Sequence, residues 1–181
     1  MAEPFVGPPR PAPWFPCGPA SSFVDITQAN AGPLSQIAPC STEDPQPTGC
    51  RVFLAPSKNG GDTGSDTVIE LSRDPKDQVN KTLRAGDQVL VFKYNGKIHA
   101  IDNKCPHSSY PLSNATPFDI EDFGITLSAG VTCPKHDWSF DLFTGNSDRG
   151  GYKLKLWEVQ MRPSGQDGDS EVWVRKKGRI G

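Results

Sequence analysis

The sequence predicts an all-β fold, and three observations carry that expectation. From position 50 onward, apolar residues come in short runs rich in β-branched and aromatic types, bounded by Gly, Pro or Asp. The pair Asn95-Gly96 separates two such runs; it is the dipeptide a two-residue type I′ hairpin prefers, because both positions need positive φ. No segment offers a long 3.6-residue apolar period.

Taken in order, "CRVFLAP" and "TVIELSR" read as short strands. "QVLVFKY-NG-KIHAID" is the clearest hairpin, and "GYKLKLWEVQMR" with "EVWVRKK" reads as a second one late in the chain. Before position 50 the composition is different: 11 of the 18 prolines lie within residues 1–47. Repeated proline excludes regular helix and disfavours central strands. A tail without fixed structure and an extended segment lying on the folded body both fit; Phe5, Trp14, Phe15 and Phe23 support the second.

A chain of 181 residues fits one domain with an appendage. A net charge of −2 gives no electrostatic footprint for nucleic acid or for a membrane surface. No apolar run would span a bilayer, and the N-terminus has no secretory-signal pattern. Arg10 is the only basic residue before Arg51, which fits a mitochondrial presequence poorly. The expectation is a soluble cytoplasmic protein whose cysteines are thiols or metal ligands rather than disulfides. Asn80-Lys-Thr and Asn114-Ala-Thr are then chance matches to the glycosylation acceptor pattern.

The three histidines are distributed unevenly. Two stand beside cysteines, in "NKCPH" and "VTCPKHDW", so Cys105 with His107 and Cys133 with His136 form two pairs separated by 25 residues. Two thiolates and two imidazoles make a four-ligand set for a soft or borderline metal. A zinc site with two Cys and two His is one reading, although Cys-x-His is tight for a single ion and zinc sites tend to group like with like. Interleaved pairs suit a two-iron cluster instead, with both thiolates on one iron and both imidazoles on the other.

In this context the sequence resembles the Rieske [2Fe–2S] family. "CPHSSYPLS" is similar to its first cluster loop and "CPKHDWSFDLFTG" to its second, and the approach through "DQVLVFKYNGKIHAID" is similar as well. The resemblance implies an antiparallel β-sandwich-like base with a small cluster-binding subdomain near 103–145. The organisation expected is a Pro-rich extension over 1–48 and a Rieske domain over 49–178. Cys105 and Cys133 would hold the inner iron of a [2Fe–2S] cluster, and His107 and His136 the outer one, with the imidazole edges as the electron's exit. Tyr110, Pro111, Lys135 and Trp138 would form the docking surface or shield the cluster.

Several positions depart from the family pattern. The interval between the ligand pairs is long, and "SNATPFDIEDFGITLS" (113–128) reads as an inserted loop half packed on the body. Asp137 stands where glycine is frequent, and Asp accepts left-handed backbone better than most residues. "NSDRGGYKL" lacks the proline that frequently covers the cluster from a third loop. The extra cysteines that form a disulfide in the respiratory type correspond to Tyr110 and Lys135, so no such bridge can form. Cys17, Cys40 and Cys50 show no ligand spacing. The hydroxyl donors of high-potential members correspond to Trp138 and Phe140, which implies a low potential.

A self-contained ring-hydroxylating oxygenase would need two more histidines for its mononuclear iron, and only His99 remains. A Gly-rich dinucleotide motif is also absent from the sequence. The expectation is therefore a one-electron carrier working between a reductase and an oxygenase or other redox enzyme, and not an enzyme by itself. A small or regulatory subunit of a larger redox enzyme, as in nitrite reductases, is the alternative.

Overall fold

The computed structural model describes residues 11–27, 31–36, 49–56, 68–69, 74–84, 86–165 and 168–178. In chain order the strands are β1 (Phe15–Pro19), β2 (Asp25–Ile26), β3 (Cys50–Leu54), β4 (Val68–Ile69), β5 (Gln88–Tyr94) and β6 (Lys97–Asp102). They continue with β7 (Thr116–Asp122), β8 (Ile125–Cys133), β9 (Trp138–Asp141), β10 (Trp157–Pro163) and β11 (Ser170–Lys176), and one helix, α1 (Pro75–Arg84), precedes β5.

Strand β5 explains the architecture. Its side chains alternate between two faces, and both faces are covered. Leu90, Phe92 and Tyr94 join a core that also contains Cys105, Leu112, Val131, Cys133, Phe140 and Leu154. Val89 and Val91 join a second core with Phe53, Trp157, Val172 and Val174. A strand buried on both sides must be apolar throughout, which is why "VLVF" shows no polar alternation. β3 and β6 flank β5 antiparallel, β4 extends the sheet beyond β3, and β2 adds a parallel pair at Lys93 and Tyr94. A second sheet, in the order β1-β11-β10, closes one face; a third, in the order β7-β8-β9, carries the second Cys/His segment, while the first follows β6 of the central sheet.

The two hairpins expected from the sequence form. Asn95 and Gly96 take φ of 46° and 76°, the positive pair that a type I′ turn requires. β10 and β11 pair from Trp157↔Lys176 to Pro163↔Ser170. This strand begins at Trp157 rather than at Gly151, because Lys153 and Leu156 form isolated bridges to Asn146 and Ile101 instead.

Part of the Pro-rich segment lies on the body. β1 pairs with β11 as an edge strand, where proline's missing N–H costs least. Phe15 packs edge-on against Phe53 and Trp157, and the Arg175 guanidinium lies 4.7 Å from the Trp14 ring centre. Cys17 and Cys50 are buried in the two cores, and burial pushes the Cys50 thiol well up. Cys40 and Phe5 lie outside the described residues.

Two elements differ from the sequence reading. Helix α1 was not foreseen, because the side chains it buries are polar: Gln78 and Thr82, one turn apart, are each 3% exposed. A search for apolar periodicity cannot see such a face. The local signal was Asp74-Pro75: the Asp74 carboxylate accepts the Lys76 N–H at 2.9 Å, and proline suits the first helical position. The second difference is 113–128, which is not a loop. It opens with a 3-10 turn (Leu112–Asn114) and then forms the greater part of the β7–β8 hairpin. The alternation of Phe118 and Ile120 with Asp119 and Glu121 is the period of a strand.

His99 on β6 is 6% exposed, stacked on Phe92 at 5.5 Å and met edge-on by Phe143 at 6.0 Å. Burial, with the nearby Lys97 charge, lowers its pKa from 6.5 to about 4. Below pH ~6.5 the unfolded chain therefore takes up a proton that the folded chain refuses, and stability falls until the pH reaches about 4. The full loss is on the order of 3 kcal/mol. We expect His99→Phe, which keeps a stacked ring, to flatten the decline in thermal stability between pH 7 and 4.5; calorimetry across that range checks it.

Candidate metal centre

The two Cys-Pro segments fold alike. In each, the cysteine carbonyl accepts the N–H of the residue four positions on: Ser109 to Cys105 at 2.8 Å, and Asp137 to Cys133 at 3.0 Å. Each closing residue has positive φ, 55° at Ser109 and 57° at Asp137. These are single α-turns, and they account for Asp in a position where glycine was expected. The first turn is closed further by the Cys105 N–H bonded to the Tyr110 carbonyl at 2.8 Å and by a bridge between Lys104 and Pro111.

The turns are held to the base by a buried polar network. Asn103 Oδ1 accepts the Ser113 N–H at 2.9 Å, and its Nδ2 donates to Gln88 Oε1 at 3.0 Å. Ser113 Oγ donates to Gln78 Oε1 of α1 at 3.1 Å. Both ends of the first loop are thus tied to β5 and the helix. On the base side, the Asp102 N–H reaches the Lys155 carbonyl at 3.0 Å, and Asp102 Oδ1 accepts Trp157 Nε1–H at 2.7 Å.

These supports bring the four sequence-predicted residues together. Cys105 and Cys133 are each 1% exposed and hydrogen-bond to each other. The Cys133 thiol, followed by the Ser108 and His107 N–H groups, stabilises the Cys105 thiolate and pushes its pKa down to about 5; sharing that proton and burial push Cys133 up. The His107 and His136 rings lie 5.1 Å apart, His107 half-buried and His136 exposed. His107 Nδ1 is buried and has no hydrogen-bond partner. A buried, unpaired ring nitrogen is a costly arrangement that binding a metal ion would relieve. Sulfur pairs with sulfur and imidazole with imidazole, the donor pattern of a two-iron centre. Among the described residues, no three His, Cys, Asp or Glu side chains are placed to hold one ion.

The outer wall joins Trp138, expected there from the sequence, with Asp148, Arg149 and Tyr152, which the sequence reading did not single out. Trp138 stacks on His107, with ring centres 4.2 Å apart and planes 9° from parallel. Tyr152 meets both rings edge-on, at 5.3 and 5.1 Å. Arg149 donates to the Asp137 carbonyl at 2.9 Å, and the Asp148 carboxylate accepts the Ser139 N–H at 3.0 Å. The segment 147–152 is therefore the third wall, made without proline. Its signal was Gly150-Gly151: Gly150 has φ of 67°, and a Cβ there would lie 2.8 Å from Trp138 Cη2. Of the expected docking residues, Lys135 is exposed, Tyr110 and Trp138 are half-buried, and Pro111 is buried and belongs to the wall.

Residues 67–154 match the Rieske [2Fe–2S] domain family. The chain carries a Rieske domain, and the [2Fe–2S] cluster is the cofactor of that domain. Among curated relatives, it is 30% identical over 80 residues to mouse apoptosis-inducing factor 3, covering 44% of this chain and 12% of that protein. It is 38% identical over 58 residues to a human Rieske domain-containing protein, covering 32% of this chain and 34% of that one. The chain thus spans between 12% and 34% of the length of these curated relatives. Similar solved structures include a ferredoxin of carbazole 1,9a-dioxygenase from Nocardioides aromaticivorans IC177, at 26% identity and a TM-score of 0.36, covering 51% of this chain and 78% of that one. Another is described as an NADH-dependent nitrite reductase small subunit from Mycobacterium tuberculosis, at 22% identity and a TM-score of 0.40, covering 51% and 76%.

Gly150→Ala should force the Trp138 ring off His107 at a left-handed position that costs about 1 kcal/mol for an L side chain. The expected outcome is a protein that still assembles its cluster but loses it faster in air, read as decay of the visible absorbance. Cys105→Ser, by contrast, should prevent normal assembly, read as loss of iron, sulfide and the EPR signal of the reduced protein.

Proposed function

We propose that this chain is a one-electron carrier whose [2Fe–2S] cluster is held by Cys105, Cys133, His107 and His136. One observation carries the reading: two buried sulfurs lie behind two imidazoles, one of which is exposed. The cluster supplies reversible one-electron chemistry; the chain supplies burial on the thiolate side and an exposed edge on the imidazole side. The partners inferred are a reductase and an acceptor enzyme that touch the surface around His136 and Lys135. Among the described residues, no helix is long and apolar enough to cross a membrane.

The second loop offers little to stabilise a reduced cluster. Trp138 and Phe140 have no hydroxyl, and the Ser139 hydroxyl is engaged with Thr132 Oγ at 2.9 Å. Asp137 adds a negative charge beside His136. The Ser108 hydroxyl is buried beside Cys105 with no hydrogen-bond partner of its own, so it is free to turn toward a cluster sulfur. Rieske potentials span roughly −150 to +300 mV and rise with hydrogen bonds to sulfur. We therefore expect a midpoint on the order of −150 mV, lowered further by Ser108→Ala. Protein-film voltammetry measures both, and a midpoint well above zero would overturn the low-potential reading.

Docking is tested separately. Lys135→Glu should slow electron transfer through the association rate, with the effect shrinking as salt is added. Stopped-flow rates with the physiological reductase that do not change at low salt would place the contact on another face. Recovery from the native source as a stoichiometric complex would favour a subunit of a larger enzyme over a diffusing carrier.

A further inference from the structure

The β7–β8 hairpin ends in a feature that neither the fold nor the cluster site needs. Phe123 is 95% exposed, and Ile125 and Leu127 beside it are 65% and 63% exposed. Phe123 also occupies left-handed backbone, with φ of 50° ahead of Gly124 at 75°. A bulky side chain is disfavoured there, and Asn would suit the turn better. An aromatic ring on unfavourable backbone with no internal contact is placed for something outside the molecule. Glu121 and Asp122, both exposed, stand next to it.

A complementary feature lies at the root of the same hairpin. A cleft of about 210 Å³ opens between β8 and the β5–β6 hairpin, lined among others by Tyr94, Lys97, His99, Leu127 and Phe143. A cavity of roughly 150 Å³ with aliphatic and aromatic walls accepts benzene, so this cleft has room for one phenyl ring. At its rim Lys97 is exposed, with Nζ 3.8 Å from the Phe143 ring centre. The molecule thus has an apolar knob flanked by acids and a hole with aromatic and aliphatic walls, rimmed by the Lys97 ammonium and by the Asp119 carboxylate, which Asn95 Nδ2 already engages at 2.7 Å.

We infer that the hairpin pairs two copies of this chain about a two-fold axis, each Phe123 seated in the other copy's cleft. A two-fold contact repeats every interaction twice, so Glu121 and Asp122 of each copy meet Lys97 of the other. Joining through the open edge of β7 is disfavoured, because Pro117 has no N–H to donate and Asp119, Glu121 and Asp122 would bring like charges together. The nine residues of β8 put Cys133 about 26 Å from Ile125. The hairpin tip that makes the contact is therefore remote from the cysteines, and the inference does not depend on what the cluster does.

Sedimentation velocity on the cluster-loaded full chain tests it, at concentrations up to about 300 μM, a range suited to an interface below ~1,200 Å². The wild type is expected to show a concentration-dependent dimer. Phe123→Asn should weaken it roughly 30-fold, the loss typical of a buried aromatic anchor, while thermal stability stays equal or rises. Lys97→Glu alone and Glu121→Lys/Asp122→Lys alone should each be monomeric, yet dimerise when mixed, because mixing restores both charge pairs. A wild type that stays monomeric throughout overturns the inference, including the case in which Phe123 serves a different protein. A dimer insensitive to Phe123→Asn, or charge variants that fail to rescue each other, overturns it equally.

Discussion

The meeting of the Cys105 and Cys133 sulfurs is the constraint on which the rest of the structure depends. Two buried thiols meet only if both loops aim their sulfurs at one place. Those loops leave from different sheets: the first follows β6 of the central sheet, and the second follows β8 of the cluster-bearing sheet. Their common ground is the core on the Leu90, Phe92 and Tyr94 face of β5, which contains both cysteines. Apolar packing sets the approach of the two sheets, and the α-turns then aim the sulfurs inward.

Packing alone does not fix a loop's orientation, and here hydrogen bonds do that work. Asn103 and Ser113 bracket the first loop and are tied to Gln88 and Gln78, all four buried. Such a network specifies one arrangement because any slip leaves a polar group unpaired, at about 1–3 kcal/mol each. The polar helix is thus a support for the metal centre. It would be a poor helix on packing grounds, and it persists because its buried glutamine has a partner in the loop.

The sequence was most readable where chemistry and geometry use the same residues. The Asn95-Gly96 turn, the two-sided strand before it and the interleaved Cys/His pairs are each visible in a few letters. Helix α1 was hidden because its inward face is polar, so no apolar period announced it. The hairpin at 113–128 was mistaken for a loop because its acidic and apolar alternation was read as partial burial rather than as strand period. Stacking of Trp138 on His107 and the closing of the third wall by Tyr152 come from parts of the chain that meet only once β9 is paired. Gly150 was visible in the sequence, but nothing there said which ring it makes room for.

The two ends of the β7–β8 sheet carry different kinds of surface, and the strand between them explains how they coexist. At Cys133, β8 is buried and its side chains are committed to the core; by Ile125 and Leu127 they are exposed. A bulge between Ile120 and Glu121 marks the change, because an extra residue on β8 breaks the register there. Beyond the bulge the hairpin no longer answers to the metal centre, so its residues are free to serve contacts. A redox edge needs small, reversible contact around an imidazole, whereas an exposed aromatic knob favours lasting burial. In the pairing and carrier role proposed above, separating them along one hairpin would let the chain hold a second copy without covering the imidazole edges.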